Sequence, residues 1–145
     1  MLNIVMLIVS MLALSCSIDP VPLNWGQDQC DHCRMTIVDN KFGAEIVTKK
    51  GKIYKFDAVE CMANFMKDGK IQQNEISKCF VIDASNPAQF IDAENATYLI
   101  SENFPSPMGA DLSAYGSRSD AEKSQANHKG DLRTWDDIKA KFKLN

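Results

Sequence analysis

The sequence predicts an α+β fold made of two small, related strand-and-helix halves, a ββα-like pseudo-repeat. Three observations point to it. Short runs rich in β-branched and aromatic residues, separated by turn signals, fill residues 35–56. Apolar residues at helical spacing follow at once, with Val59, Met62, Ala63 and Met66 recurring until Asp68-Gly69. The same order, strand patterns and then a helical stretch, returns between Cys79 and His128.

Residues 1–15 form an apolar run, MLNIVMLIVSMLALS, shorter than the roughly 20 residues a membrane span needs and ending at a small residue before Cys16. This is the pattern of a signal peptide. Ala13-Leu14-Ser15-Cys16 resembles a lipobox, so Cys16 is the expected lipidation site of an exported, membrane-anchored lipoprotein. Pro20 and Pro22 then suit an extended tether over residues 16–24, with a folded domain from 25 to 145.

Within that domain the first half, about 25–70, holds three expected strands in MTIVDNKFGAEIVTKKGKIYKF, divided by Asp39-Asn40 and Lys50-Gly51. Asp57 with Glu60 three residues on has capping-box spacing and predicts the start of a helix of about three turns. The second half, about 78–130, begins with CFVIDAS and AQFIDAENATYLI, which read as strands around Asn86-Pro87. ADLSAYGS follows the break at FPSPMG, and residues 118–128 read as a polar helix capped by Ser119. TWDDIKAKF predicts a short amphipathic helix with Trp135, Ile138 and Phe142 on one face.

A length of 145 residues suits one ordinary domain with a real core. The net charge of −3 supplies no basic footprint for a phosphate backbone, which argues against a nucleic-acid partner. With Cys16 taken by lipid, Cys30, Cys33, Cys61 and Cys79 remain in a compartment where disulfides form. A cysteine count alone therefore does not establish a metal site.

The motif Cys30-Asp31-His32-Cys33-Arg34-Met35 packs two thiols, an imidazole and a thioether into one loop entrance. C-x-x-C spacing lets two thiolates converge on one ion, but on spacing alone a structural or redox disulfide is equally compatible. Two features tilt the reading towards metal. A second C-x-x-C, which a zinc ribbon would need, is missing, and methionines recur at Met35, at Cys61-Met62 and in Pro105-Ser106-Pro107-Met108-Gly109. A thioether is a poor zinc ligand, whereas polarizable Cu(I) accepts thiolate and thioether together. Cys30, Cys33, Met35 and Met108 are thus the first candidate ligands, with Cys61, Met62 and His32 behind them. Cys79, inside CFVI, is expected to pack as a buried hydrophobe, and Met62 and Met66 as helix core.

These blocks, taken in order, resemble the NosL family, the accessory lipoproteins of nitrous-oxide reductase maturation. The resemblance runs through Ala13 to Cys16, C-x-x-C-x-M-x-I from Cys30 to Ile37, Phe42-Gly43-Ala44, and Lys55-Phe56-Asp57 with Cys61-Met62. It continues through FVIDAS, FIDAENATYLI and Pro107-Met108-Gly109. Arg34 stands where many relatives carry glycine, and Ser106 where threonine often precedes Pro-Met-Gly. The resemblance implies a periplasm-facing, non-enzymatic Cu(I) metallochaperone. It would serve copper-centre assembly of nitrous-oxide reductase, or exchange copper with another maturation protein. Two alternatives compete. One is an exported thiol-disulfide oxidoreductase using Cys30 and Cys33, and the other is a disulfide-stapled binding module whose methionines only pack.

Overall fold

A computed structural model describes residues 18–144. Residues 1–17, which include the expected signal peptide and Cys16, lie outside the described residues.

Among the described residues, two antiparallel sheets, three α-helices and a short 3-10 helix (Gln73–Glu75) build the domain. The chain runs β1 (Ala44–Thr48), β2 (Ile53–Phe56), α1 (Val59–Lys67), β3 (Ile76–Ile82), β4 (Phe90–Asp92) and β5 (Thr97–Ile100). It continues with β6 (Leu112–Tyr115), α2 (Arg118–His128), β7 (Asp131–Arg133) and α3 (Trp135–Phe142). The first sheet has the order β2-β1-β3-β4 and the second β6-β5-β7. The expected α+β pseudo-repeat is thus present, and each unit is longer by one strand than a ββα motif. In β1-β2-α1-β3 and in β5-β6-α2-β7 the hairpin comes first, the helix follows, and the last strand returns to the other edge of the first.

The pairing corrects the expected division at residue 78. β3 closes the first unit, with Ile46 opposite Cys79 and Ala44 opposite Val81, instead of opening the second. The expected strand over residues 88–100 is also cut in two. Asp92 accepts from the Asn95 and Glu94 amides, and this turn separates β4 from β5.

Burial follows from the two-residue period of the strands. Ala44 and Ile46 share a face with their partners Phe56, Tyr54, Val81 and Cys79, and this face forms the main core with α1. Phe65 of α1 packs its ring 4.9 Å from Tyr54 and 5.2 Å from Phe56. Trp135 of α3 stacks on Tyr98 at 5.8 Å and ties the C-terminal helix to the second sheet, as its apolar spacing foretold. α2 is almost wholly polar and buries only Ala121, while Ser124 reaches Tyr115 at 2.6 Å.

The opposite face of the first sheet is covered by the segment expected to be a free tether. Leu23 is buried in the core, and the Val21 amide donates to the Glu45 carboxylate at 3.0 Å. Gly43 leaves room for this strap: a Cβ there would lie 2.6 Å from Leu23 Cδ1. Residues 21–24 therefore belong to the domain.

Three local expectations fail. Residues 35–38 form no strand beyond a single bridge between Thr36 and Gln29, because their backbone closes the loop before them. Met35 O accepts from Cys30 N, and Ile37 exchanges bonds with Gly26 and Asp28. At α1 the cap residue is Ala58, with no side-chain cap, so Asp57 and Glu60 form no capping box. At α2 the cap is Ser117, accepting from the Asp120 amide, and not Ser119.

Burial of Glu45 has a measurable cost. Desolvation lifts its carboxyl to about 7, against a smaller downward pull from the Val21 amide. The folded protein thus holds this proton more tightly than the unfolded chain, so Glu45 favours folding at low pH and loses that advantage as pH rises towards 7. Thermal unfolding of wild type and Glu45→Gln between pH 4.5 and 8 should show the variant gaining stability relative to wild type as pH rises from 4.5 to about 7, with the difference levelling off above that. A difference independent of pH would contradict this.

Candidate metal centre

The site lies where the loop of residues 30–35 meets the junction of β2 and α1. That loop is a tight turn closed by Cys30 N to Met35 O at 2.9 Å and Arg34 N to Cys30 O at 3.0 Å. Arg34 adopts a left-handed backbone with φ 66°, a conformation that suits glycine and costs other residues roughly 1–2 kcal/mol. Arg34 thus occupies a position where glycine would carry no strain. Asp31 fastens the loop to β2 by exchanging two bonds with the Lys55 backbone, at 2.7 and 2.8 Å, and Lys55 Nζ reaches Asp28 at 2.6 Å.

Leaving β2, the chain delivers Asp57, and the first turn of α1 delivers Cys61. The sulfurs of Cys30, Cys33 and Cys61 and a carboxylate oxygen of Asp57 all lie within 4.8 Å of one another. With metal–sulfur bonds of roughly 2.3 Å, donors so spaced can share a single ion. All four cysteines of the described residues are free thiols.

The electrostatics divide the three thiols. Cys30 is lowered to about 6, chiefly because the Cys61 thiol donates to it, with the amides of Cys33, Asp57 and His32 adding to the effect against burial. Cys33 is raised to about 11 by burial and by the neighbouring Cys30 charge, although the Met35 amide works the other way. Cys61 is pushed up strongly, first by its bond to Cys30, then by burial and by Asp57. The apo cluster at neutral pH therefore holds one thiolate and two thiols, and Cys33 reaches Asp57 Oδ2 at 3.6 Å. Asp57 Oδ1 is buried and has no partner, an open donor beside the sulfurs.

The candidate ligands separate into groups. Cys30, Cys33 and Cys61 meet in the cluster. Met35 and Met108 expose their side chains, 55% and 43% respectively, and neither thioether is part of the buried set. Met35 shapes the site through its backbone. The Met108 loop touches the same helix turn: Ser106 donates a short hydrogen bond to Glu60, the residue before Cys61. Met62 is fully buried in the core. His32 Nε2 lies 3.2 Å from Asp68, and its Nδ1 is buried without a partner. Cys79 is buried in β3 and raised to about 12 by desolvation, in keeping with a packing role.

Asp57 was read from the sequence as a helix cap, and its place in the cluster is new. Its spacing of four residues from Cys61 is the signal that could have revealed it, since residues so spaced near a helix start can face the same way.

Three thiols and a carboxylate so grouped on a two-unit α+β scaffold make a cluster that could hold a soft metal ion. Comparison with known proteins gives the family. The NosL family profile matches residues 20–142, and this chain belongs to the NosL family. Its structure resembles the crystal structure of the copper chaperone NosL from Shewanella denitrificans, with a TM-score of 0.65 and 23% identity over 83% of this chain and 91% of that one. At that identity the likeness establishes the fold. No curated protein matches significantly.

Two outcomes follow. Thiolate ultraviolet absorbance of the reduced protein should show a step centred near pH 6 that vanishes in Cys30→Ser; a first step only above pH 8 would refute the single-thiolate description. In urea unfolding, Arg34→Gly should stabilise by up to about 1 kcal/mol and Arg34→Val should destabilise by about 1–2 kcal/mol, as a relaxed and a β-branched residue do at left-handed φ.

Proposed function

We propose that this chain is a Cu(I)-binding metallochaperone that accepts copper on a thiolate site and passes it to a partner protein. The convergence of three sulfurs in one buried cluster carries this reading. Soft sulfur donors favour Cu(I) among the available metals. Membership of the NosL family and the shared fold with a copper chaperone point the same way. Cys30, Cys33 and Cys61 hold the ion, and Met108 and Met35 supply thioethers from exposed loops.

The protonation pattern suits loading and release. Cys30 offers a ready thiolate, while Cys33 and Cys61 keep protons that the arriving ion must displace. Affinity should accordingly rise with pH. Exposed thioethers let an incoming or outgoing ion change partners by ligand exchange, in which metal–sulfur bonds are exchanged and the Cys33 and Cys61 protons leave to solvent on loading and return on release. The family's association with nitrous-oxide reductase makes that enzyme, or another copper-maturation protein, the proposed recipient. A lipid on Cys16 would hold the domain on a membrane, facing the periplasm.

A lowered Cys30 beside Cys33 also favours a second reading, a thiol-disulfide oxidoreductase. Anaerobic titration of the reduced full-length chain with Cu(I), against a chromophoric chelator, separates the two. Tight one-to-one binding, weakened more than about tenfold (1.4 kcal/mol) by Cys30→Ser, Cys33→Ser or Cys61→Ser, supports the chaperone. Tighter retention of Zn(II) than of Cu(I) would overturn the choice of metal. Indifference to copper, with turnover of a Cys30–Cys33 disulfide against a dithiol, would favour the oxidoreductase.

A further inference from the structure

We infer that Glu60 is a positioning residue whose buried side chain grips the loop of residues 106–110 and so holds Met108 beside the helix turn that carries Cys61. The inference rests on the reading of Met108 as a copper donor.

Glu60 is only 2% exposed, and among the described residues no Lys, Arg or His pairs with it. A carboxyl buried without a cation is costly, and an apolar residue of similar size would serve a helix core better. Its contacts supply the reason for its presence. Ser106, itself buried, donates a short hydrogen bond to Oε1. The backbone amides of Met108 and Ala110 also point their positive ends towards the carboxyl, although Oε2 has no partner of good hydrogen-bond geometry. Three groups of one loop therefore address one side chain.

The loop is built to turn this grip into a direction. Gly109 N donates to Ser106 O at 3.0 Å, which closes a four-residue turn with Pro107 and Met108 at its corners. Proline presets the backbone at the first corner, and Gly109 adopts φ 75° with open space around it. The turn's backbone faces Glu60 while the Met108 side chain remains 43% exposed. Cys61 is the next residue after Glu60, so the helix turn that carries the third thiol also carries the loop's anchor.

A double-mutant cycle on the reduced full-length chain tests this, with Cu(I) affinity and the sulfur signature in copper X-ray absorption as readouts. Met108→Ala should weaken Cu(I) binding by about tenfold. Glu60→Ala should weaken it by a similar factor, the double variant should be no weaker than either, and Glu60→Gln should bind like wild type. Ser106→Ala cuts the same grip from the loop side and should show the same non-additivity with Met108→Ala, so the test survives if Glu60→Ala fails to fold. Additive losses, or a Glu60→Ala and a Ser106→Ala that both bind like wild type while Met108→Ala does not, would overturn the positioning role alone. An unchanged Met108→Ala would overturn the thioether reading and the positioning role with it.

Discussion

A thiolate buried at the meeting point of a loop, a strand end and a helix start is the constraint on which the rest of this domain depends. Taking such a charge out of water costs several kcal/mol unless hydrogen bonds replace the lost solvent. Here one thiol and three backbone amides do so at Cys30. Each donor comes from an element whose position is set elsewhere: His32 and Cys33 by the tight turn, Asp57 by the exit from β2, and Cys61 by α1 packing on Tyr54 and Phe56 through Phe65. The core and the site are therefore one structure, and Cys30 and Cys61 are counted within both.

That dependence explains which parts could be read in advance. Periodic patterns reported local structure well: the hairpin β1–β2, the helix α1, the polar α2 and the apolar stripe of α3 all lie where their spacing placed them. Pairing across long separations left no such trace, so nothing in the sequence of Ile76–Ile82 announced that it would close the first sheet. Residues 35–38 misled because their β-branched composition describes a tendency, while the backbone groups a strand would need were committed to the cysteine turn.

Asp57 and Glu60 show the same ambiguity at the site itself. Two carboxylates three residues apart before a helix signal a capping box, and nothing local distinguishes that use from a ligand and a loop anchor. The cap is left to Ala58, which has no polar side chain to offer, so the helix start lacks a side-chain partner while Asp57 stands in the thiol cluster and Glu60 meets Ser106. The twin cysteines were legible because C-x-x-C spacing implies convergence within one loop. Cys61 and the Pro-Met-Gly loop needed tertiary structure to bring them to the same helix turn.

The covering segment of residues 21–24 sets where the domain can be cut. Protein-engineering practice would place a soluble boundary at Trp25, after the prolines. Such trimming would pull a leucine plug out of the interior, bare the surface over Gly43 and Ile82, and strip Glu45 of the amide that meets its carboxylate. A fragment meant to behave like the native domain has to keep the Val21 amide and Leu23, and so to begin no later than Pro20.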